Sequence, residues 1–291
     1  MRIWILLAAG IALLSPAAAT AEADDERIAR ITGLPTEIQN GVVRVSVARS
    51  DLHAEVDGVA MAPFQGFTSW AAFQRVGDRT MLMGDIVATE READAALGAA
   101  IESGLEVTAL HNHFFFEKPR VFFLHVAGMG SVEQLASGVK ATLDAVKAAG
   151  QSAHQDGFGG PVVPSPSRLE AAALDTILGL HGVSKDGMVK FVIGRSAEMH
   201  GTAVGAAMGV NTWAAFSGAP EAAVVDGDFA MLEPELQAVL KALHRGGIHV
   251  VAIHNHMTGE EPRFIFLHYW GRGSATELAR VLKTALDTQG P

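Results

Sequence analysis

Cysteine is absent from the whole 291-residue chain. Without thiols there are no disulfides and no thiolate ligands, so a bound metal must be held by His, Asp, Glu or Met. Lipid-anchored export is excluded as well, because it needs a cysteine at the cleavage site. A positive balance is also lacking: 22 Lys plus Arg face 32 Asp plus Glu, a net charge of −10, and a nucleic-acid backbone would be repelled. Nor does any N-terminal apolar run reach the roughly 20 residues of a membrane helix. The run from Ile3 to Leu14 follows Met1-Arg2 and precedes the small residues Ala19-Thr20-Ala21. It reads as a secretory signal peptide over residues 1–21, cut after Ala21. The expected product is a periplasmic protein that is not a lipoprotein and keeps no transmembrane segment.

What the chain does have is a second copy of itself. Residues 111–144 (HNHFFFEKPRVFFLHVAGMGSVEQLASGVKATLD) and 254–287 (HNHMTGEEPRFIFLHYWGRGSATELARVLKTALD) share 17 identities in 34 positions at a constant offset of 143. Upstream, Trp70 to Phe73 answers Trp213 to Phe216, and Gly84-Asp85 answers Gly227-Asp228. Beyond short indels, Arg49 answers Arg195 and His53 is paired with His200. The copies are placed at 26–148 and 172–289, joined by a linker over 149–171 that contains the Gly-, Pro- and Ser-rich stretch from Gly150 to Ser167.

Within the first copy, Val42–Arg49, Trp70–Val76 and Met81–Ala88 read as strands, the last two joined across Gly77-Asp78. Glu90–Glu102 reads as a helix closed by Gly104. Leu105–His111 and Arg120–Ala127 read as further strands, and Ser131 caps a helix to about Ala149. The order, roughly ββββαββα, predicts an α+β fold of two modules that pack together, each a mostly antiparallel sheet with helices on one face.

Eight of the 12 histidines form four apparent repeat pairs: His53 with His200, His111 with His254, His113 with His256, and His125 with His268. Residues two apart on a strand share a face, so His111 and His113 can reach one ion, as can His254 and His256. His125 and His268 are expected to face the same pocket from the adjacent strand, and His53 and His200 to approach from upstream. Three imidazoles and an open position suit a catalytic divalent metal, zinc above all. Four, with Met61 or Met208 nearby, suit a closed or copper-like site.

The loop between the His-bearing strands holds Glu117-x-Pro119-Arg120, matched by Glu260-x-Pro262-Arg263. Glu117 and Glu260 are candidate ligands or general bases, and Arg120 and Arg263 candidate anchors for an anionic group; surface ion pairs and a rigid turn explain the same residues. Asp85 and Asp228 are candidate partners for an imidazole N–H. Trp70 and Trp213 suit packing better than substrate stacking. The Gly-x-Gly-Ser turns at Gly128 and Gly271 read as capped strand-to-helix connections rather than anion cradles. Phe114-Phe115-Phe116 stands where the second copy has Met257-Thr258-Gly259, so the two pockets differ in shape.

A contiguous His-Asn-His is not the HNH nuclease pattern, whose residues are dispersed. A strand ending in His-x-His resembles the JAMM metalloproteases, but the Pro that follows it there and the downstream Ser and Asp are missing. Taken together, the duplicated H-N-H, E-x-P-R, F-L-H and G-x-G-S segments on an exported chain resemble the LppY/LpqO family of bacterial envelope proteins across nearly the whole mature length. That resemblance implies export and a repeated domain and names no reaction. Three functions stay open: a metal-dependent hydrolase that activates water, a metal-binding protein without turnover, and an envelope ligand-binding or scaffold protein without metal.

Overall fold

The computed structural model describes residues 16–152 and 157–290. Most of the expected signal peptide, residues 1–15, lies outside them, as does His154.

Alternation of apolar and polar residues builds long strands with one face given to helices. The first copy runs α1 (Pro16–Thr32), β1 (Thr36–Gln39), β2 (Val42–Ala48), β3 (Glu55–Val56), β4 (Val59–Ala60), β5 (Thr68–Val76), β6 (Arg79–Thr89), α2 (Ala93–Glu102), β7 (Glu106–Asn112), β8 (Glu117–Lys118), β9 (Val121–Gly130) and α3 (Val132–Gln151). The second repeats the plan with α4 (Ala171–Leu178), β10 (Val183–Lys185), β11 (Met188–Gly194), β12 (Ala197–Met199), β13 (Thr202–Val204), β14 (Asn211–Ala219), β15 (Ala222–Leu232), α5 (Leu236–Arg245), β16 (His249–His254), β17 (Phe264–Gly273) and α6 (Ala275–Leu286). The fold is α+β with mostly antiparallel pairing, as expected. Each copy also opens with a helix that the ββββαββα reading lacks.

The two copies share a single sheet. Its 12 strands run β1-β2-β5-β6-β9-β7-β16-β17-β15-β14-β11-β10, and the join is an antiparallel pairing of Leu110 with Ile253. These are equivalent residues under the offset of 143, so a local two-fold axis passes between them. Helices of both copies lie on one face over one continuous core that includes Leu82, Leu97, Leu110, Leu124, Val225, Leu240 and Leu267. Side chains near the axis lock the copies together. The Gln237 amide donates to the Val107 carbonyl at 2.8 Å and accepts from its N–H at 3.1 Å. His249 meets Asp94 at 2.9 Å, and the Arg245 guanidinium clasps both oxygens of Glu102. The unpaired histidines 244 and 249 therefore belong to this seam: the His244 ring lies against Gly98, where a Cβ would overlap it.

Ser131 and Ser274 cap α3 and α6 by accepting from the N–H of Gln134 and Glu277. Gly128 and Gly271 make room for Leu135 and Leu278, so the Gly-x-Gly-Ser segments are close-packed turns. An ion pair, buried in the first copy and partly buried in the second, recurs in each copy. Arg49 holds both oxygens of Glu92 at 2.9 and 3.0 Å, and Arg195 holds Glu235 at 3.1 and 3.2 Å. Glu92 also accepts from Thr89 N–H, as Glu235 does from Leu232 N–H. Each pair thus ties the end of an outer strand to the start of the helix that follows β6 or β15.

Candidate metal centre

Strand register places the site. Trp70, Asp85 and His125 stand side by side across β5, β6 and β9, and Trp213, Asp228 and His268 across β14, β15 and β17. All lie on the face away from the helices, because their strand neighbours Ala71, Leu124 and Val126, or Ala214, Leu267 and Tyr269, point into the core. His111 lies opposite Phe123, and His254 opposite Phe266, one step diagonally from His125 and His268. The glycine before each aspartate has a steric cause. At Gly227 a Cβ would overlap the Trp213 carbonyl and the buried Tyr269 hydroxyl, which donates to that carbonyl at 2.9 Å.

In the second copy the donors converge. Asp228, His254 and His256 each offer an atom, all within 4.8 Å of one another. His256 Nε2 lies 3.0 Å from Asp228 Oδ2 and 3.2 Å from His254 Nε2, with its ring stacked on Phe266 at 3.6 Å. The His268 ring stacks on His254 at 4.5 Å, and its Nδ1 is 3.9 Å from Asp228. The carboxylate is only 2% exposed, and its Oδ1 and the Nδ1 of His254 are buried without partners.

A buried carboxylate oxygen with no donor or cation against its lone pairs costs free energy. Burial pushes the Asp228 carboxyl above its ordinary range, while His268 and His256 pull it back. The His254 imidazole is driven from 6.5 down to about 4, by burial first and then by His268 and His256. It is therefore neutral at pH 7, the form that ligates a metal. Two imidazoles and one carboxylate suit a divalent transition metal, so the donor set fits one.

The first copy holds the equivalent residues differently, and in both copies the second histidine, His113 or His256, lies just past the end of β7 or β16 instead of two along the strand as expected. His111 Nε2 is 3.0 Å from His125 Nε2, and its Nδ1 donates to the Asn112 carbonyl at 2.8 Å, a bond that orients the ring. Burial raises the Asp85 carboxyl against the pull of His125, His111 and His113, and its Oδ1 too is buried without a partner. His113, however, packs on Phe114 and Phe123, both at 4.5 Å, instead of closing on the aspartate.

Several expected site residues lie elsewhere. The pairing of His53 with His200 does not hold. Val56 pairs with Val59 and Met199 with Thr202, so the two-residue turns Asp57-Gly58 and His200-Gly201 are the equivalents, all four residues at positive φ. His200 is a turn residue in left-handed backbone, which His tolerates better than most; His53 is exposed in the preceding loop, also at positive φ. Met61 packs on the apolar cluster around Phe67 and Phe123, and Met208 is exposed in a different turn, so these two are not equivalents either.

Glu260 is buried, but its Oε1 accepts from Phe264 N–H at 3.0 Å, and Glu117 lies 3.5 Å from the Asn112 amide. Glu260 holds the loop through Oε1 while its Oε2 is buried without a partner, the Glu117 carboxylate makes only this long exposed contact among the described residues, and neither is in the donor cluster. Lys118 pairs with Glu55 and Glu261 bridges Glu198, which ties each loop to the small hairpin beside it. Arg120 forms an exposed pair with Glu90 at 3.5 Å, and Arg263 is exposed. Trp70 and Trp213 carry cations on their faces: Arg44 at 4.4 Å and Lys190 at 4.1 Å.

Protonation of His254 sets a pH dependence in the metal-free protein. Between about 4 and 6.5 the unfolded chain binds a proton there that the folded chain rejects, so His254 makes stability fall as pH drops through that window. The raised pKa of Asp228 acts in the opposite sense, since its native form takes up a proton first. Urea unfolding of chelator-treated protein is expected to give a larger advantage of pH 7 over pH 5 for the native chain than for His254→Gln.

The fold and cluster define a duplicated domain with a histidine–carboxylate centre on the open face of a shared sheet. The model of the family described as Domain of Unknown Function (DUF1259) matches residues 26–145 and again 172–288, and the chain belongs to that family. No curated protein matches it. Among solved structures it is similar to a trimeric bacterial microcompartment shell protein, PduB, at 11% identity over 87% of this chain and 89% of that one. The TM-score of that superposition is 0.20, too low for the likeness to bear on fold or function. No helix among the described residues is long and apolar enough to cross a membrane.

Proposed function

We propose that this is an exported, periplasmic metal-binding protein whose operative centre is Asp228, His254 and His256, with His268 alongside. The observation that carries this reading is the buried Asp228 carboxylate with its unpartnered Oδ1, set against two imidazoles within 4.8 Å. Zinc suits the donor set best. The soft ligands that a copper site would draw on are not at hand, since Met61 is packed in an apolar cluster and Met208 stands exposed in another turn. A bound metal would supply charge for the buried carboxylate and an attachment point for an anionic ligand. Binding is favoured over hydrolysis because Glu117 and Glu260, the expected general bases, stand outside the donor cluster of Asp228, His254 and His256.

The signal-like N-terminus supports export, and the repeated segments support kinship with the LppY/LpqO envelope proteins. Elemental analysis of the mature chain, purified without a tag or chelator, is expected to find close to one equivalent of zinc. A chain that arrives empty and takes up no Zn, Cu, Mn or Fe would leave the envelope ligand-binding reading in its place.

A further inference from the structure

A cleft of about 370 Å³ opens beside His256, lined by Lys190, Val192, Ala206, Gly209, Asn211 and Trp213. Its volume is near the lower end of small-molecule sites, which run from about 300 to 1,000 Å³, so it admits roughly one ring. Its walls are apolar at Val192, Ala206 and Trp213. Its cation is Lys190, whose Nζ rests 4.1 Å above the Trp213 ring. Asn211 is anchored at 2.9 Å on the Ala206 carbonyl, which fixes the rim. The nearest carboxylate in register with Lys190 is Asp226, across Ala215, with its carboxyl raised by burial.

The first copy is an internal control. Gly66 is the equivalent of Gly209, and Phe114 the equivalent of Met257. A Cβ on Gly66 would meet the Phe114 ring at 3.5 Å and the His113 ring at 4.0 Å, and Phe114 also stacks on Phe67 at 5.2 Å. At Gly209 nothing lies within 4 Å. One aromatic side chain thus fills in the first copy the space that is open in the second, and it draws His113 away from Asp85 as it does so.

We infer that the cleft beside His256 receives a small carboxylate carrying one apolar ring, its charge toward Lys190 where that cation rests on Trp213 and its ring against Val192 and Ala206, and that the chain has one such pocket rather than two. The inference rests on the proposed metal centre only in that His256 forms one wall, and the test separates them. Benzoate, with benzyl alcohol as the uncharged analogue, is titrated calorimetrically into the full mature chain, and metal content is measured on the same samples.

Benzoate is expected to bind once per chain, at least 10-fold more tightly than benzyl alcohol. The exposed substitution Lys190→Met should remove that preference. Met257→Phe, which supplies the plug of the first copy, should weaken benzoate at least 10-fold and also lower metal content by drawing His256 onto the new ring, whereas Lys190→Met should leave metal content unchanged. The same pattern in a chain that carries no metal and takes up no added Zn, Cu, Mn or Fe would support the pocket and overturn the metal centre. No benzoate binding to the metal-loaded chain, two sites per chain, or equal affinity in both variants would overturn the pocket and leave the metal centre standing.

Discussion

His256→Ala is expected to strip the metal from this protein, and His113→Ala, its equivalent in the first copy, to leave most of it in place. His256 closes on Asp228 at 3.0 Å and on His254 at 3.2 Å, whereas His113 stacks on two phenylalanines. Removing one of three donors should exceed the roughly 10–100-fold loss of affinity that comes with removal of a group that merely orients a ligand. The measurement is zinc affinity by competition with a chromophoric chelator. Asp228→Asn should fall with His256→Ala, because the amide removes the charge that makes a dication welcome while nearly keeping the shape. Equal losses in His113→Ala and His256→Ala would mean that the copies bind metal alike, and the asymmetry would be wrong.

The second large effect is on stability. Arg49 and Glu92 are a buried pair, with side chains 7% and 5% exposed. Burial works against the Arg49 charge, but Asp51 and Glu92 outweigh it and hold its pKa above the ordinary value. Arg49→Met leaves Glu92 buried without its cation, at an expected cost of about 3–5 kcal/mol. In a chain of this size that is a fall in Tm on the order of 10 °C. Arg49→Met/Glu92→Leu should recover part of the loss, since no lone charge remains. Recovery stays incomplete because the Val87 carbonyl loses the Arg49 donor and the Thr89 N–H loses its acceptor. Differential scanning calorimetry of the three chains decides it; a double variant no better than Arg49→Met would show that these two backbone bonds, and not the lone charge, set the cost.

Much of this was legible in the sequence because local patterns carried it. The long strands, the capped helices and the Trp, Asp and His positions follow from alternation, from Gly and Ser at helix ends, and from comparing one half of the chain with the other. The aspartates were visible too, but only as partners for an imidazole. Their central place depends on strands 40 residues apart lying in register, as Asp85 does with His125 and Asp228 with His268.

The pairing of His53 with His200 failed for a different reason. The indel lies between Arg49 and Ala54, upstream of the short hairpin, and a two-residue turn accepts Asp-Gly or His-Gly equally well. The N-terminal helix was hidden by its overlap with the small residues read as a leader. The shared sheet had no local signal at all, because the pairing of β7 with β16 joins strands that are ordinary edges within their own copies.

That join has a consequence for what a chain of two fused copies can do. On a true two-fold axis between separate identical subunits each residue meets its own kind, so a charge on the axis faces the same charge. Here Glu102 and Arg245 occupy equivalent positions and meet each other across the seam, an arrangement that no homodimer of one module could make. Covalent fusion has released the dyad from self-complementarity, and the same freedom lets one half keep a phenylalanine where the other leaves a doorway.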